Sequence, residues 1–354
     1  MVPEGHGNFS QLLGASAIHR HVALPHQGMK STWRGHAIGK PQTGATAAIV
    51  IAFPAIACAG GFAVVLSFFL VGATVTILAA PLGLTGGTPI PISGIAALLF
   101  GVLLAGVIGL ADDRFDLRAR WQLAGQLVIS AVPIAFGVRI AFLSNPFGAG
   151  DLLFPDAVGL ALTLFWVLGM QNAMNFIDGL DGLSGGIALI AAVTLGIIAL
   201  PATPLLAALC FALAGALHGF LRHNFYPASI YMGTSGILAV AYALAVLSLL
   251  GTAKVVAALL ILGVPIIDAF FVIVGRLLAG RSPYSADKTH IHQRLIDAGL
   301  SHRGAVLALY GVTLLLSVGA VVLAASAALY AFAGLLVVLG GAIVWLSRRA
   351  ERRA

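Results

Sequence analysis

What most constrains this 354-residue chain is a succession of long apolar runs that carry almost no charge. They fall at about 45–70 (or on to 80), 94–110, 119–141, 157–174, 183–200, 203–221, 235–251, 254–278, 304–325 and 328–346. A helix that crosses the hydrocarbon core of a bilayer needs roughly 20 predominantly apolar residues, so the runs read as about ten spans. Only 9% of the residues are charged, against roughly 25% in a soluble domain. Such a chain cannot cover itself with a water-facing surface. The runs are apolar on every face, which argues against the alternating strands of a membrane β-barrel. The sequence therefore predicts an all-α, polytopic transmembrane helix bundle, with its 43 glycines suited to close helix packing in lipid.

The loops sort into two sets by charge. One set comprises residues 1–43, 111–118, 175–182, 222–234, 279–303 and the tail from Ser347. With the span ends that border it, this set holds 17 of the 19 lysines and arginines; only Arg139 and Lys254 fall on the other. The positive-inside rule makes the basic set cytoplasmic. Both termini then lie inside, which requires an even number of spans. The organisation reads as a polar cytoplasmic segment over 1–43, a transmembrane domain over 44–346 and a basic cytoplasmic tail over 347–354. A short interfacial helix around residues 9–18 is compatible with the first segment. The net charge of +7 is dispersed among loops and is not a nucleic-acid signal. Cys58 and Cys210 both lie in apolar runs, which argues against a structural disulfide or a zinc site.

The acidic residues gather on the basic side. Asp112, Asp113 and Asp116 end the second run; Asp178 and Asp181 lie in Asn175-Phe-Ile-Asp178-Gly-Leu-Asp181-Gly; Asp268 is inside the eighth run; Asp287 precedes His290-Ile-His292. An interfacial carboxylate is often no more than a solvated loop residue or an arginine's partner. Adjacent like charges at Asp112 and Asp113, however, repel unless a cation lies between them. Asn175, Asp178 and Asp181 are spaced i, i+3, i+6, so on a helix they share one face. An oxygen-rich face of this kind suits magnesium, which takes a few carboxylates plus waters and phosphates. Gly179 and Gly182 would let a substrate approach the backbone closely. His290 and His292 read as metal ligands, phosphate contacts or, with the greatest weight from pattern alone, ordinary loop histidines; without a third His or a nearby Cys they make a weak zinc signal. Pro265 reads as a tolerated helix break, and His218, His223 and Asn224 as interface residues closing the sixth run.

At these segments the chain resembles the polyprenyl-phosphate N-acetylhexosamine-1-phosphate transferases (glycosyltransferase family 4). The resemblance rests on Gly109-Leu-Ala-Asp112-Asp113-Arg-Phe-Asp116, Asn175-Phe-Ile-Asp178-Gly-Leu-Asp181-Gly-Leu-Ser-Gly-Gly186, Asn224-Phe-Tyr-Pro-Ala-Ser-Ile-Tyr-Met-Gly233, Pro265-Ile-Ile-Asp268 and Ser282-Pro-Tyr-Ser-Ala-Asp287-Lys-Thr-His290-Ile-His292-Gln-Arg294. It runs from about residue 34 to the C-terminus, and the His-Ile-His form is similar to the GlcNAc-1-phosphate branch. The resemblance implies transfer of HexNAc-1-phosphate from a UDP-sugar to polyprenyl phosphate in the inner (plasma) membrane, with a site facing the cytoplasm and Mg2+ (or Mn2+) as cofactor. It implies that Asp112 and Asp113 activate the lipid phosphate or help hold the metal. Asn175, Asp178 and Asp181 would form the nucleotide-sugar and metal side, with Asp178, Asp181 and Asp113 carrying the ion. His290 and His292 would contact phosphate, with Arg294 assisting.

Three features differ from the family pattern. Thr234 and Ile237 stand where Gly-Asp-x-Gly-Ser would place its magnesium-binding Asp and its Ser. Gln293 ends the His-Ile-His segment where the family has a further His. The span and signature expected before the first cytoplasmic loop are reduced to Arg34-Gly-His36 and Lys40-Pro41-Gln-Thr-Gly44. Two other functions stay open at this level: a degenerate member that binds polyprenyl phosphate without turnover, and a membrane carrier. The clustering of charge at the interface rather than at mid-membrane disfavours the carrier. The sugar, the glycan pathway and the oligomeric state, a homodimer included, are not set by the sequence.

Overall fold

The computed structural model describes residues 59–145, 150–251, 254–278, 280, 290–323 and 325–351. The polar N-terminal segment, the helix expected at 9–18, Asp287 and the last three residues lie outside the described residues. In chain order the elements are α1 (Ala59–Ile77), α2 (Ile92–Phe115), α3 (Ala119–Ala135), β1 (Phe142–Ser144), β2 (Asp151–Leu153), α4 (Asp156–Ile177), α5 (Leu183–Ala199) and α6 (Pro204–Asn224). After these come α7 (Gly233–Leu249), α8 (Lys254–Ile261), α9 (Gly263–Leu278), α10 (Ile291–Asp297), α11 (His302–Val322) and α12 (Ala325–Glu351). The chain is a multi-pass helical membrane protein. By length and composition, α1, α2, α4, α6 and α11 qualify as crossings, and α8 with α9, bent by 75°, makes a sixth. The apolar helices α5 and α7 have 17 residues each and fall short of that test. Length and composition thus qualify fewer crossings among the described residues than the ten runs in the sequence.

The structure adds two elements where the sequence reading has only loops. The stretch 142–156 contains a small antiparallel hairpin pairing Phe142 with Leu153 and Ser144 with Asp151. The long loop ends in the seven-residue helix α10. The break in the eighth run falls between Ile261 and Gly263, two residues before Pro265. Proline has no N–H to donate and suits the first turn of a helix, where that N–H has no intrahelical partner anyway. The third run stops at Ala135 rather than 141, just after Pro133 and before Gly137 at φ +81°.

The bundle is organised around α7, which is buried on every side from Ser235 to Ser248. A helix without a polar face belongs in a core. It packs against α1, α2 and α4, while α5 packs on α6 and α11. Glycines set the closest approaches. A Cβ on Gly101 would lie 2.1 Å from the Tyr242 ring, whose hydroxyl donates to the Ala97 carbonyl at 2.7 Å. A Cβ on Gly109 would lie 2.4 Å from the Ser235 Cα. Small residues at such crossings are how helices gain contact in lipid, where water supplies no hydrophobic drive between them. The crossing at Gly109 has a consequence one turn on, because it brings Asp113 to the start of α7.

Candidate functional site

The site is assembled at one end of the bundle, where α2, α4 and α6 finish and α7, α10 and α11 begin. Asp113, near the end of α2, accepts the Thr234 N–H on Oδ1 at 2.7 Å and the Ser235 N–H on Oδ2 at 3.1 Å. Met232, the residue before α7, provides no side-chain cap. Asp113 therefore caps α7 from another helix, satisfying two of its free N–H groups and meeting its positive dipole end. Gly233 is required twice over. Its φ is +64°, and a Cβ there would lie 2.7 Å from Asp113 Oδ2. Asp112 is 8% exposed and points another way. Its Oδ1 accepts Gln122 Nε2 at 2.9 Å and Leu117 N–H at 3.2 Å, and the Thr234 side chain also hydrogen-bonds this carboxyl. Asp116, left-handed at φ 49°, turns the chain so that Gln122 can return to Asp112.

The expected helical face of Asn175, Asp178 and Asp181 does not form. Helix α4 ends at Ile177, so only Asn175 is on it, exposed to solvent. Asp178 caps the helix and Asp181 belongs to the turn that follows, closed by Gly182 at φ +82°. Two glycines in five residues and the lost helical hydrogen bonds favour a turn over a continued helix. The loop is then held from outside. Asn224 Oδ1 accepts the Gly182 N–H at 3.0 Å, and Asn224 Nδ2 donates to the Ile230 carbonyl at 2.9 Å. Asp181 Oδ2 accepts the Ala228 N–H at 3.0 Å, and the Tyr310 hydroxyl donates to the Gly182 carbonyl. Asn224 is thus a buried pillar of the site rather than an interface residue.

Asp178 stands apart electrostatically. Burial pushes its carboxyl up to about 6, opposed by a hydrogen bond from the Ser184 hydroxyl and reinforced by the nearby charges of Asp181 and Asp113. Among the described residues no three ligating side chains converge on a point. Two carboxylates, each using one oxygen within the protein, still match the sparse protein ligation that magnesium accepts alongside waters and phosphates. On that chemistry Asp178 and Asp181 could hold the ion, with Asp113 beside them but already committed to backbone N–H groups.

The histidines meet this loop directly. A Cβ on Gly179 would lie 2.0 Å from His292 Nε2, so the fully buried His292 ring rests on the loop backbone between the two aspartates. The close approach that Gly179 permits is made by the protein's own side chain. His290 lies parallel to His292, with ring centroids 5.5 Å apart at 12°, and tilted against Phe176 at 5.6 Å. His290 Nδ1 is 2.7 Å from Asp268 Oδ2. Arg294 is half-buried on α10, roughly 200° around the helix from His292. Gln122, Ser184, Asn224 and Tyr310 complete the site; Ser184 and Gln122 bond partners 6 and 10 positions away, while Asn224 and Tyr310 reach Gly182 from 42 and 128 positions away. Asn224 and Ser184 stood inside motifs that could have flagged them.

Residues 95–252 match the model of glycosyl transferase family 4. The matched segment is a little under half of the chain. It is similar to a probable undecaprenyl-phosphate N-acetylglucosaminyl 1-phosphate transferase of Bacillus subtilis (strain 168), 37% identical over 64% of this chain and 65% of the relative. It is also similar to the decaprenyl-phosphate N-acetylglucosaminephosphotransferase of Mycobacterium tuberculosis (strain ATCC 25618 / H37Rv), 37% identical over 61% of this chain and 60% of the relative. The undecaprenyl-phosphate alpha-N-acetylglucosaminyl 1-phosphate transferase of Escherichia coli (strain K12) is 31% identical over 65% of each chain. The chain thus spans somewhat less than two thirds of each of these relatives.

Proposed function

We propose that the protein transfers a HexNAc-1-phosphate, GlcNAc-1-phosphate first among the candidates, from a UDP-sugar to polyprenyl phosphate. A lipid phosphate oxygen attacks the sugar-linked phosphorus. A new P–O–P linkage forms, the old one breaks, and UMP leaves. The observation that carries this reading is Asp178, a carboxyl raised by burial and by two neighbouring carboxylates, at the helix ends where a lipid phosphate could meet a cytosolic nucleotide. Such an excess of negative charge calls for a cation, and a diphosphate brings one. The charge distribution favours ten crossings with both termini and the site in the cytoplasm, as in an inner-membrane enzyme.

In this reading Asp178 and Asp181 hold magnesium. When bound, the ion neutralises charge on the diphosphate. The protein's own work is positioning, as phosphoryl transfer requires little else. Asp113 fixes the Gly233–Ser235 turn, and Asp112, oriented by Gln122, faces the lipid phosphate as the acceptor of its remaining proton. His292 stands on Gly179 to reach the transferred phosphate, with His290 beside it. The test is an assay of the purified protein with magnesium, undecaprenyl phosphate and radiolabelled UDP-GlcNAc. Labelled lipid and UMP that both vanish with EDTA support the transferase. No product with any UDP-HexNAc rejects it. A second reading, binding without turnover, is favoured by one observation: backbone N–H groups already occupy both oxygens of Asp113. Polyprenyl phosphate bound in the absence of product would select it.

A further inference from the structure

Asp268 has no part in the reading above, yet it is the one carboxylate in the interior of α9, and it is 1% exposed. An ionisable group at such a position is expected to have a named partner and a task. Its partners are two neighbours in sequence, on a different element. Oδ2 lies 2.7 Å from His290 Nδ1, and Oδ1 accepts the Ile291 N–H at 2.7 Å. The second contact caps α10. The first grips the ring of the residue before the helix. Together they fix both where His290 enters α10 and how its imidazole is turned.

A carboxylate only accepts hydrogen bonds, so the ring nitrogen facing Asp268 is the one that carries the proton. A ring holding a single proton is thereby set with Nδ1–H toward Asp268 and its lone pair on Nε2. The ring plane is held in turn by Phe176 on one side and by the parallel ring of His292, which itself rests on Gly179. Orientation set at Asp268 is therefore passed through stacked rings to the loop between Asp178 and Asp181.

We propose that Asp268 is a positioning residue: it selects the Nδ1–H tautomer of His290 and aims Nε2 at the diphosphate of the substrate. This deepens the transferase reading and rests on it. Asp268→Asn is the informative change, because Asn can still accept the Ile291 N–H while presenting an N–H to Nδ1, which moves the ring proton to Nε2. With the full-length protein in nanodiscs, Asp268→Asn is expected to lower kcat on the order of 100-fold or more while KM for the UDP-sugar changes little. Asp268→Asn/His290→Asn should be no slower than His290→Asn alone, as residues acting as one unit are non-additive. In histidine-labelled protein, the ¹⁵N signals lost in His290→Asn should report an Nδ1-bound proton, shifted to Nε2 in Asp268→Asn. Wild-type kcat in Asp268→Asn, or losses that multiply in the double variant, would reduce Asp268 to a helix cap and overturn the proposal. So would a wild-type ring protonated on Nε2 with Nδ1 bare, and that measurement decides even if Asp268→Asn does not fold. A wild-type protein that makes no lipid product rejects the transferase reading, while the ring nitrogens still decide the positioning.

Discussion

The two carboxylate pairs at the site end of the bundle look alike in sequence and are treated oppositely by the fold. Asp112 and Asp113 are absorbed into the architecture: Asp113 gives both oxygens to the first N–H groups of α7, and Asp112 takes Leu117 N–H and Gln122. Asp178 and Asp181 are gripped through one oxygen each, by Ser184 and by Ala228 N–H. In the first pair, the N–H groups at the start of α7 disperse the charge of Asp113, while Gln122 and Leu117 N–H hold Asp112. In the second, the charge is left concentrated in a buried place, and the Asp178 carboxyl rises to about 6. The first pair builds the turn on which the site rests, and the second leaves a concentration of charge that a proton or a bound cation would relieve.

The sharpest way to break this contrast is Asp178→Asn. Turnover should fall on the order of 10²–10³-fold, the cost of removing one well-placed electrostatic group, yet the apo protein should be more stable at neutral pH. The folded-state carboxyl is raised from 3.8 to about 6, so between those values the folded state binds more protons than the unfolded one. Stability therefore falls as pH rises through that window and stays low above it. Thermal unfolding at pH 5 and pH 7 checks this. Magnesium should raise the wild-type Tm more at pH 7 than at pH 5, and the variant should lose most of that difference. An unchanged magnesium response in Asp178→Asn would remove this residue from the cation site.

Gly179→Ala comes next. Its methyl group would occupy the space of His292 Nε2, 2.0 Å away. His292 must move, and displacement of a positioning group by about 1 Å costs up to roughly 100-fold in rate. Wild-type kcat would show that His292 is packing only. Asp113→Asn tests the other pair. Its amide can accept one N–H but sets a donor against the second, so the α7 cap is half lost. The expected cost is about 1–2 kcal/mol of stability, read as a lower Tm with or without magnesium. A Tm equal to wild type would mean that α7 does not depend on this cap.

How much of this was legible in the sequence depends on the range of the interaction. The helical membrane bundle was, because lipid imposes a local rule on every span: about 20 apolar residues and no open backbone groups. The acidic segments were legible too, since each is a short stretch of chain. The helical face drawn through Asn175, Asp178 and Asp181 was not correct, because spacing alone is blind to the φ of Gly182 and to the end of α4 at Ile177. The capping of α7 by Asp113, the hold of Asn224 on Gly182 and the grip of Asp268 on His290 join residues 121, 42 and 22 positions apart. No local pattern marks them. Asp268 was visible as a lone charge in an apolar run, which said that it needed a partner but not which one.

The smallest expected effect falls at Thr234, which bonds both carboxylates of the first pair. Thr234 donates its backbone N–H to Asp113, and its side chain hydrogen-bonds Asp112. Thr234→Asp keeps the N–H and so keeps the cap. It replaces a neutral hydroxyl with a third carboxylate beside two others, and like charges at that distance repel. Without a divalent cation, the variant should unfold at a slightly lower temperature than wild type. With magnesium, the added ligand should reverse the sign, and the concentration giving half-maximal stabilisation should fall several-fold, since ligand charge strengthens oxygen sites for hard cations. A penalty that magnesium leaves untouched would place residue 234 outside the cation's reach. The first pair would then be purely architectural, and Asp178 and Asp181 would carry the charge chemistry alone.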